Sequence, residues 1–165
     1  MTEREIRKYI DRLNKGMAKE SIFTRQINKN VDVAKVWSEQ PKMTDNSVGN
    51  FGSYRIFFIK NELNEYIGAV LDMYHDLHCY IIPKCRKKGY LTIALKESIL
   101  PYLFYEERES LRITIDEGAI GEKNYLNSKR VAIKLGFKPI NENETELELN
   151  KDDFVRPPKW RTVSL

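Results

Sequence analysis

The stretch Ile81-Ile82-Pro83-Lys84-Cys85-Arg86-Lys87-Lys88-Gly89-Tyr90-Leu91-Thr92 decides how this chain is read. An apolar, strand-like run from Leu77 to Ile82 stops at Pro83. Four cations and a cysteine follow, and Gly89 then frees the backbone just before an amphipathic helical pattern. A strand, a basic turn and a helix start together make an anion site. The first N–H groups of a helix lack intrahelical acceptors, and its dipole turns a positive end toward them. Gly89 has no Cβ, so the main chain there admits close approach of a ligand. The turn suits a phosphorylated ligand. It is neither a P-loop nor a Rossmann turn, since each of those needs more than the single glycine present here.

Outward from this turn the chain reads as alternating strands and helices around one sheet. Ile6, Tyr9, Ile10, Leu13 and Met17 lie at helical spacing and predict an amphipathic helix over Thr2 to Lys19. Ser21 to Ile27 reads as a short strand and Val31 to Trp37 as a short helix. Lys42 to Gly52 is polar and glycine-containing, a loop. Ser53 to Ile59 and Tyr66 to Tyr74 are aromatic and β-branched, and predict a hairpin across Lys60 to Glu65. Pro101, which lacks an N–H, should bend or shorten the last turn of a helix from Gly89 to Leu103. Leu111 to Asp116 is the next strand. Asn124 or Asn127 caps a helix running to Leu135, with Gly136 as its stop. Phe137 to Ile140 and Thr145 to Leu149 close the fold as a hairpin.

The 165 residues fit one domain, and a hydrophobic content of 41% marks a globular chain. No apolar run reaches transmembrane length, and Met1 to Lys8 lacks the apolar core of a signal peptide, so a cytoplasmic protein is expected. Cys79 and Cys85 have no zinc spacing and read as free thiols. His75 and His78 complete no ligand set, and no metal is expected. A net charge of +4 does not by itself indicate nucleic acid. Trp37 and Trp160 are also far in sequence from the basic turn, so neither nucleic acid nor membrane is an expected partner. A homodimer is compatible with the sequence.

Arg86 and Gly89 resemble the Arg/Gln-x-x-Gly-x-Gly/Ala loop with which GCN5-related N-acetyltransferases hold the pyrophosphate of acetyl-CoA. Leu91 stands where that loop ends in a small residue. Asn127 to Phe137, reading Asn-Ser-Lys-Arg-Val-Ala-Ile-Lys-Leu-Gly-Phe, resembles a later motif of the same family. The two occur in the family's order, and the resemblance covers about Tyr66 to Ile140. Ser128, Arg130, Val131 and Leu135 look closest to the ribosomal-protein Nα-acetyltransferase branch. The resemblance implies an α/β acetyltransferase fold over residues 1–153, a mixed central sheet flanked by helices, with a C-terminal tail over 154–165. It implies transfer from acetyl-CoA to a primary amine, whether a protein N-terminus, a lysine or a small molecule.

It also implies roles for particular residues. The amides of Lys87, Lys88, Gly89, Tyr90, Leu91 and Thr92 would cradle the pyrophosphate, with Arg86 and Lys88 neutralising it. The main chain of Tyr80, Ile81 and Ile82 would pair with the pantetheine arm and donate an N–H to the thioester oxygen. Asn124, Asn127 and Ser128 would line the thiol end. His78 is the side chain best tuned to act as base, with Asp72, His75, Glu117 and ordered water as rivals. The family's usual tyrosine acid is replaced by Ala132, which leaves Tyr125 and Tyr90 as phenols near the expected path. Each residue has a plainer reading. The basic turn can be a solvated loop, His78 a packed strand residue, and Tyr125 a packing residue where its helix begins. The run Glu142 to Glu148 either favours a cationic acceptor or is a solvated hairpin edge. The missing tyrosine and Leu91 also fit a non-catalytic acyl-CoA-binding domain of the same fold.

Overall fold

Thr2 opens the first helix, α1 (Glu3–Asn14), through a reciprocal capping box. Its hydroxyl accepts from the Glu5 N–H at 3.3 Å, and the Glu5 carboxylate takes the Thr2 N–H at 2.6 Å. That backbone hydrogen bond is the main reason the Glu5 carboxyl is held below its usual range. The computed structural model describes residues 1–17, 21–37 and 52–157. The helix ends at Asn14, short of the expected Lys19, because Gly16 takes a left-handed φ of 68° and turns the chain. Met17, expected on its apolar face, is exposed.

Five strands follow: β1 (Ile22–Asn28), β2 (Val31–Trp37), β3 (Ser53–Lys60), β4 (Tyr66–Asp72) and β5 (Leu77–Ile81), hydrogen-bonded in that order. Neighbours from β1 to β4 run antiparallel. The segment Val31 to Trp37, expected as a helix, is therefore a strand. Its apolar residues at 31, 33, 34 and 36 satisfy a helical period, but both its edges pair, Val33 with Arg25 and with Phe57. Side chains on both faces are buried, so strict alternation never appears in the sequence. The predicted hairpin of β3 and β4 forms as expected.

Ile6, Tyr9 and Ile10 of α1 pack on Ala34, Val36, Ile56, Phe58, Ala69, Leu71 and Tyr80. These residues form the core of a first compact unit, Met1–Asp72 with Cys79–Leu91. Within it, Lys60 and Asp32 are buried together. The Lys60 ammonium lies 3.0 and 3.1 Å from the two Asp32 oxygens, and the Tyr66 hydroxyl donates to Asp32 at 2.6 Å. Burial first, then this hydrogen bond, push the Tyr66 phenol well above its usual range.

The second unit comprises Met73–His78 and the chain from Thr92 onward. The helical run after the basic turn is α2 (Tyr90–Ala94), a π-turn over Leu95–Ile99, and α3 (Leu100–Tyr105). Pro101 was expected to bend or shorten the last turn of this helix. Its missing N–H leaves one ladder bond unmade, and the wider turn immediately before it absorbs the change, with Leu100 N–H on the Leu95 carbonyl. Next come β6 (Ser110–Thr114), α4 (Glu117–Ile120), α5 (Glu122–Lys134), β7 (Lys138–Pro139) and β8 (Glu146–Asn150). The strands form a second antiparallel sheet in the order β6-β8-β7. Leu111, Ile113, Leu147 and Leu149 point into its core, while Arg112, Glu146 and Glu148 share the other face.

The α/β fold is thus present, with antiparallel pairing from β1 to β4 and in the second sheet, and one parallel bridge, Asp76 with Arg112. Neither Asn124 nor Asn127 caps α5. Asp116 caps the short α4 through Gly118 N–H, and Gly121, with φ of 76°, starts α5 directly afterwards. Gly136 ends α5 with φ of 98°, as predicted. Phe154, where the tail was expected to begin, is buried with its ring 5.2 Å from that of Phe104. Most of the predicted loop Lys42 to Gly52, and Trp160 of the tail, lie outside the described residues. Among the described residues no helix is long and apolar enough to cross a membrane.

Candidate active site

The basic turn is built by a short sequence of backbone commitments. The Ile82 N–H bonds the Ile67 carbonyl at 3.0 Å, the last rung beside β5. Pro83 then fixes φ and starts a 3-10 turn over Pro83–Cys85, closed by Cys85 N–H on the Ile82 carbonyl and Arg86 N–H on Pro83. Cys85 is buried under the turn, while Lys84, Arg86, Lys87 and Lys88 are exposed. Lys87 and Gly89 take positive φ, 63° and 84°, on either side of Lys88. Such reversals fold successive amides toward one concavity, the geometry of a backbone anion nest. The helical run begins at Tyr90, one residue later.

Arg86 is pre-set rather than free to wander. Its Nε donates to the Ile81 carbonyl at 2.9 Å, and its guanidinium lies 5.9 Å from the Tyr80 ring centroid. Its terminal nitrogens have no partner among the described residues. Tyr90 is differently engaged. Its hydroxyl donates to Glu62 at 2.7 Å, and that bond is the first cause of a raised Tyr90 phenol and a lowered Glu62 carboxyl. The phenol proposed for the cofactor path is thus anchored to the β3–β4 turn. Of the three amides expected to meet the pantetheine arm, that of Ile82 is engaged by Ile67. Strand alternation turns the amide and carbonyl of Ile81 the opposite way from those of Ile82.

In the second unit, Asp76 organises the parallel bridge. The Arg112 N–H bonds the His75 carbonyl at 2.8 Å. One ladder position further, the Thr114 N–H meets the Asp76 carboxylate at 2.9 Å instead of a strand carbonyl, and the same oxygen takes the Leu77 N–H. The side chain ends the pairing by standing in for the next main-chain acceptor. His78 follows, half-buried, with its Nε2 enclosed and without a hydrogen-bond partner among the described residues. The Arg112 Nε is in the same state, though its terminal nitrogens reach Glu146 and Glu148. An enclosed donor or acceptor without a partner costs about 1–3 kcal/mol.

On α5, Asn124 donates to the Ile120 carbonyl at 2.8 Å and is exposed, as is Ser128; Asn127 is half-buried. Their spacing puts the three on one arc of the helix. Tyr125 is buried and donates its hydroxyl to the Glu144 carbonyl at 3.2 Å, with Lys129 over its ring and paired to the Glu144 carboxylate. The pair with Glu144 is what raises the Lys129 ammonium above its usual range. Sequence reading named Asp76 as a turn residue only and gave Arg112 no part. Their pairing is set by chain folding across 36 residues and leaves no local signal.

No known family profile matches the chain, and no curated protein matches it. Among solved structures, it is similar to a spermidine N-acetyltransferase chimera from Vibrio cholerae and hSSAT, with 13% identity, over 98% of this chain and 97% of that one. The TM-score is 0.49, and at that level the likeness fixes neither family nor substrate.

Proposed function

We propose that this chain is an N-acetyltransferase of the GCN5-related type, moving the acetyl group of acetyl-CoA to a primary amine. The observation that carries the reading is the turn Arg86 to Gly89. The family's pyrophosphate motif matches at Arg86 and Gly89, and in that stretch Lys87 and Gly89 take positive φ, 63° and 84°, with exposed cations around them. The chemistry of these groups fits a diphosphate. Arg86, held by Ile81, offers its terminal nitrogens, and Lys87 and Lys88 add charge. Acetyl-CoA supplies an activated thioester. Ile81 is the best placed of the three expected strand residues to orient it, because its amide faces away from β4.

The roles given to Asn124, Asn127 and Ser128 by the resemblance are part of the proposal; Tyr125 is given no proton-transfer role, because its hydroxyl is bonded to the Glu144 carbonyl. We assign the proton of the attacking amine to His78 or to ordered water, on the residue type and its place on the strand before the basic turn. Replacing His78 by alanine should lower the rate by about a hundredfold or more if His78 is the base. An unchanged pH–rate profile would leave water alone. Tyr125→Phe should stay close to the parent rate, because that hydroxyl is engaged by Glu144. Nothing in the comparisons supports the ribosomal-protein branch, and the acceptor is left at the level of a primary amine.

The alternative is a non-catalytic acyl-CoA-binding domain. Ala132 in place of the usual tyrosine and Leu91 in place of a small residue favour it. Thiol release from acetyl-CoA across an amine panel separates the two. The enzyme reading predicts amine-dependent release. Tight CoA binding with no release for any amine would favour the alternative.

A further inference from the structure

The first unit holds a cleft of about 360 Å³ beside the start of the basic turn, lined by Leu13, Glu65, Tyr66, Ile67, Ile82 and Lys84. That volume falls within the range of small-ligand sites. Its walls are stiff. Asn14 closes a two-way bond with the Tyr66 main chain, donating to the carbonyl and accepting from the N–H, each at 2.8 Å. The Tyr66 hydroxyl is tied to Asp32, so the ring cannot swing. Asn61 accepts from the Leu63 and Glu65 N–H groups and donates to one Glu65 carboxylate oxygen, which fixes the acidic wall. Lys84 stands on the 3-10 turn opposite in charge.

Glu65 and Lys84 line one cleft, yet neither has an ion-pair partner among the described residues. A simple anion would meet Glu65 there, and a simple cation would meet Lys84. A ligand carrying both charges meets neither penalty. We propose that this cleft binds a small zwitterion of the amino-acid type, its ammonium toward Glu65, its carboxylate toward Lys84, and its apolar part on the half-buried Leu13 and Ile82. Tyr66 supplies a fixed ring against which an aliphatic side chain packs. The site does not depend on the acetyl-CoA reading.

Nuclear magnetic resonance titration of the full chain, without acetyl-CoA, tests this with three matched probes. They are L-leucine, 3-methylbutylamine, which lacks its carboxylate, and 4-methylpentanoate, which lacks its ammonium. Leucine should shift the amides of Asn64 to Ile67 and of Lys84, and bind at least about tenfold more tightly than either probe, one charge contact being enough for a factor of that order. Glu65→Gln and Lys84→Met should each weaken leucine by a similar factor. Both side chains are exposed, so an unchanged melting temperature is expected and shows that folding is intact. Absence of shifts at millimolar leucine would overturn the proposal, as would equal binding of all three probes. Shifts confined to other residues would overturn it as well.

Discussion

Replacing Gly89 by valine is expected to weaken CoA binding by at least about a hundredfold, equivalent to about 2.7 kcal/mol. Two effects add. Gly89 holds a φ of 84°, a conformation in which a β-branched residue is strained by about 1–3 kcal/mol, so the nest opens or distorts. A side chain there also stands in the way of the main-chain approach that a diphosphate needs. Gly89→Ala, smaller but still strained, should give an intermediate loss. Calorimetric titration of CoA into each variant measures both, with thermal melting as the control for folding. A well-folded Gly89→Val protein with parent affinity would remove the turn from the ligand site.

Asp32→Ala should cost the protein about 3–5 kcal/mol of folding stability, the usual result of leaving one half of a buried ion pair alone. The Lys60 ammonium would keep its burial, 7% exposed, and lose both carboxylate contacts, while the Tyr66 hydroxyl would lose its acceptor. Tyr66→Phe should cost less, about 1.5–3 kcal/mol, since it removes one hydrogen bond to a charged group and leaves the ion pair in place. Urea unfolding at neutral pH reads both values. Stability in Asp32→Ala equal to that of the parent would show that Lys60 reaches water on its own. The triad would then not be a fixed part of the first unit.

The elements legible in the sequence were those whose pattern is local. The β3–β4 hairpin announced itself through aromatic and β-branched runs around a polar turn, and Gly136 marked the end of α5. The strand Val31–Trp37 was not legible, because pairing on both edges buries both faces and erases the period of two. The start of α5 was misread for a related reason. Asparagines are good caps, but Asp116 and Gly121 lie upstream and had already set the helix phase. Pro101 correctly signalled a disturbance, while the form it took, a π-turn before the proline, depends on how the run packs. The place of the basic turn between strand and helix was legible, since a motif of that kind is contiguous, but the 3-10 turn over Pro83–Cys85 and the positive φ of Lys87 were not. The Asp32–Lys60–Tyr66 triad joins residues 28 and 34 positions apart, and no pattern of residue types links them. The carboxylate of Asp76, bonded to an amide 38 residues away, was hidden in the same way.

The central claim is that the turn from Arg86 to Thr92 holds the diphosphate of acetyl-CoA. Amide resonances of the full chain followed during titration with CoA test it most directly. Saturable shifts are expected at Arg86, Lys87, Lys88, Gly89 and the first residues of α2, with the Ile81 amide moving as well. The shifts should weaken with added salt, because charge neutralisation supplies part of the affinity. Saturable binding that leaves these amides unmoved, or no binding at all, would contradict it.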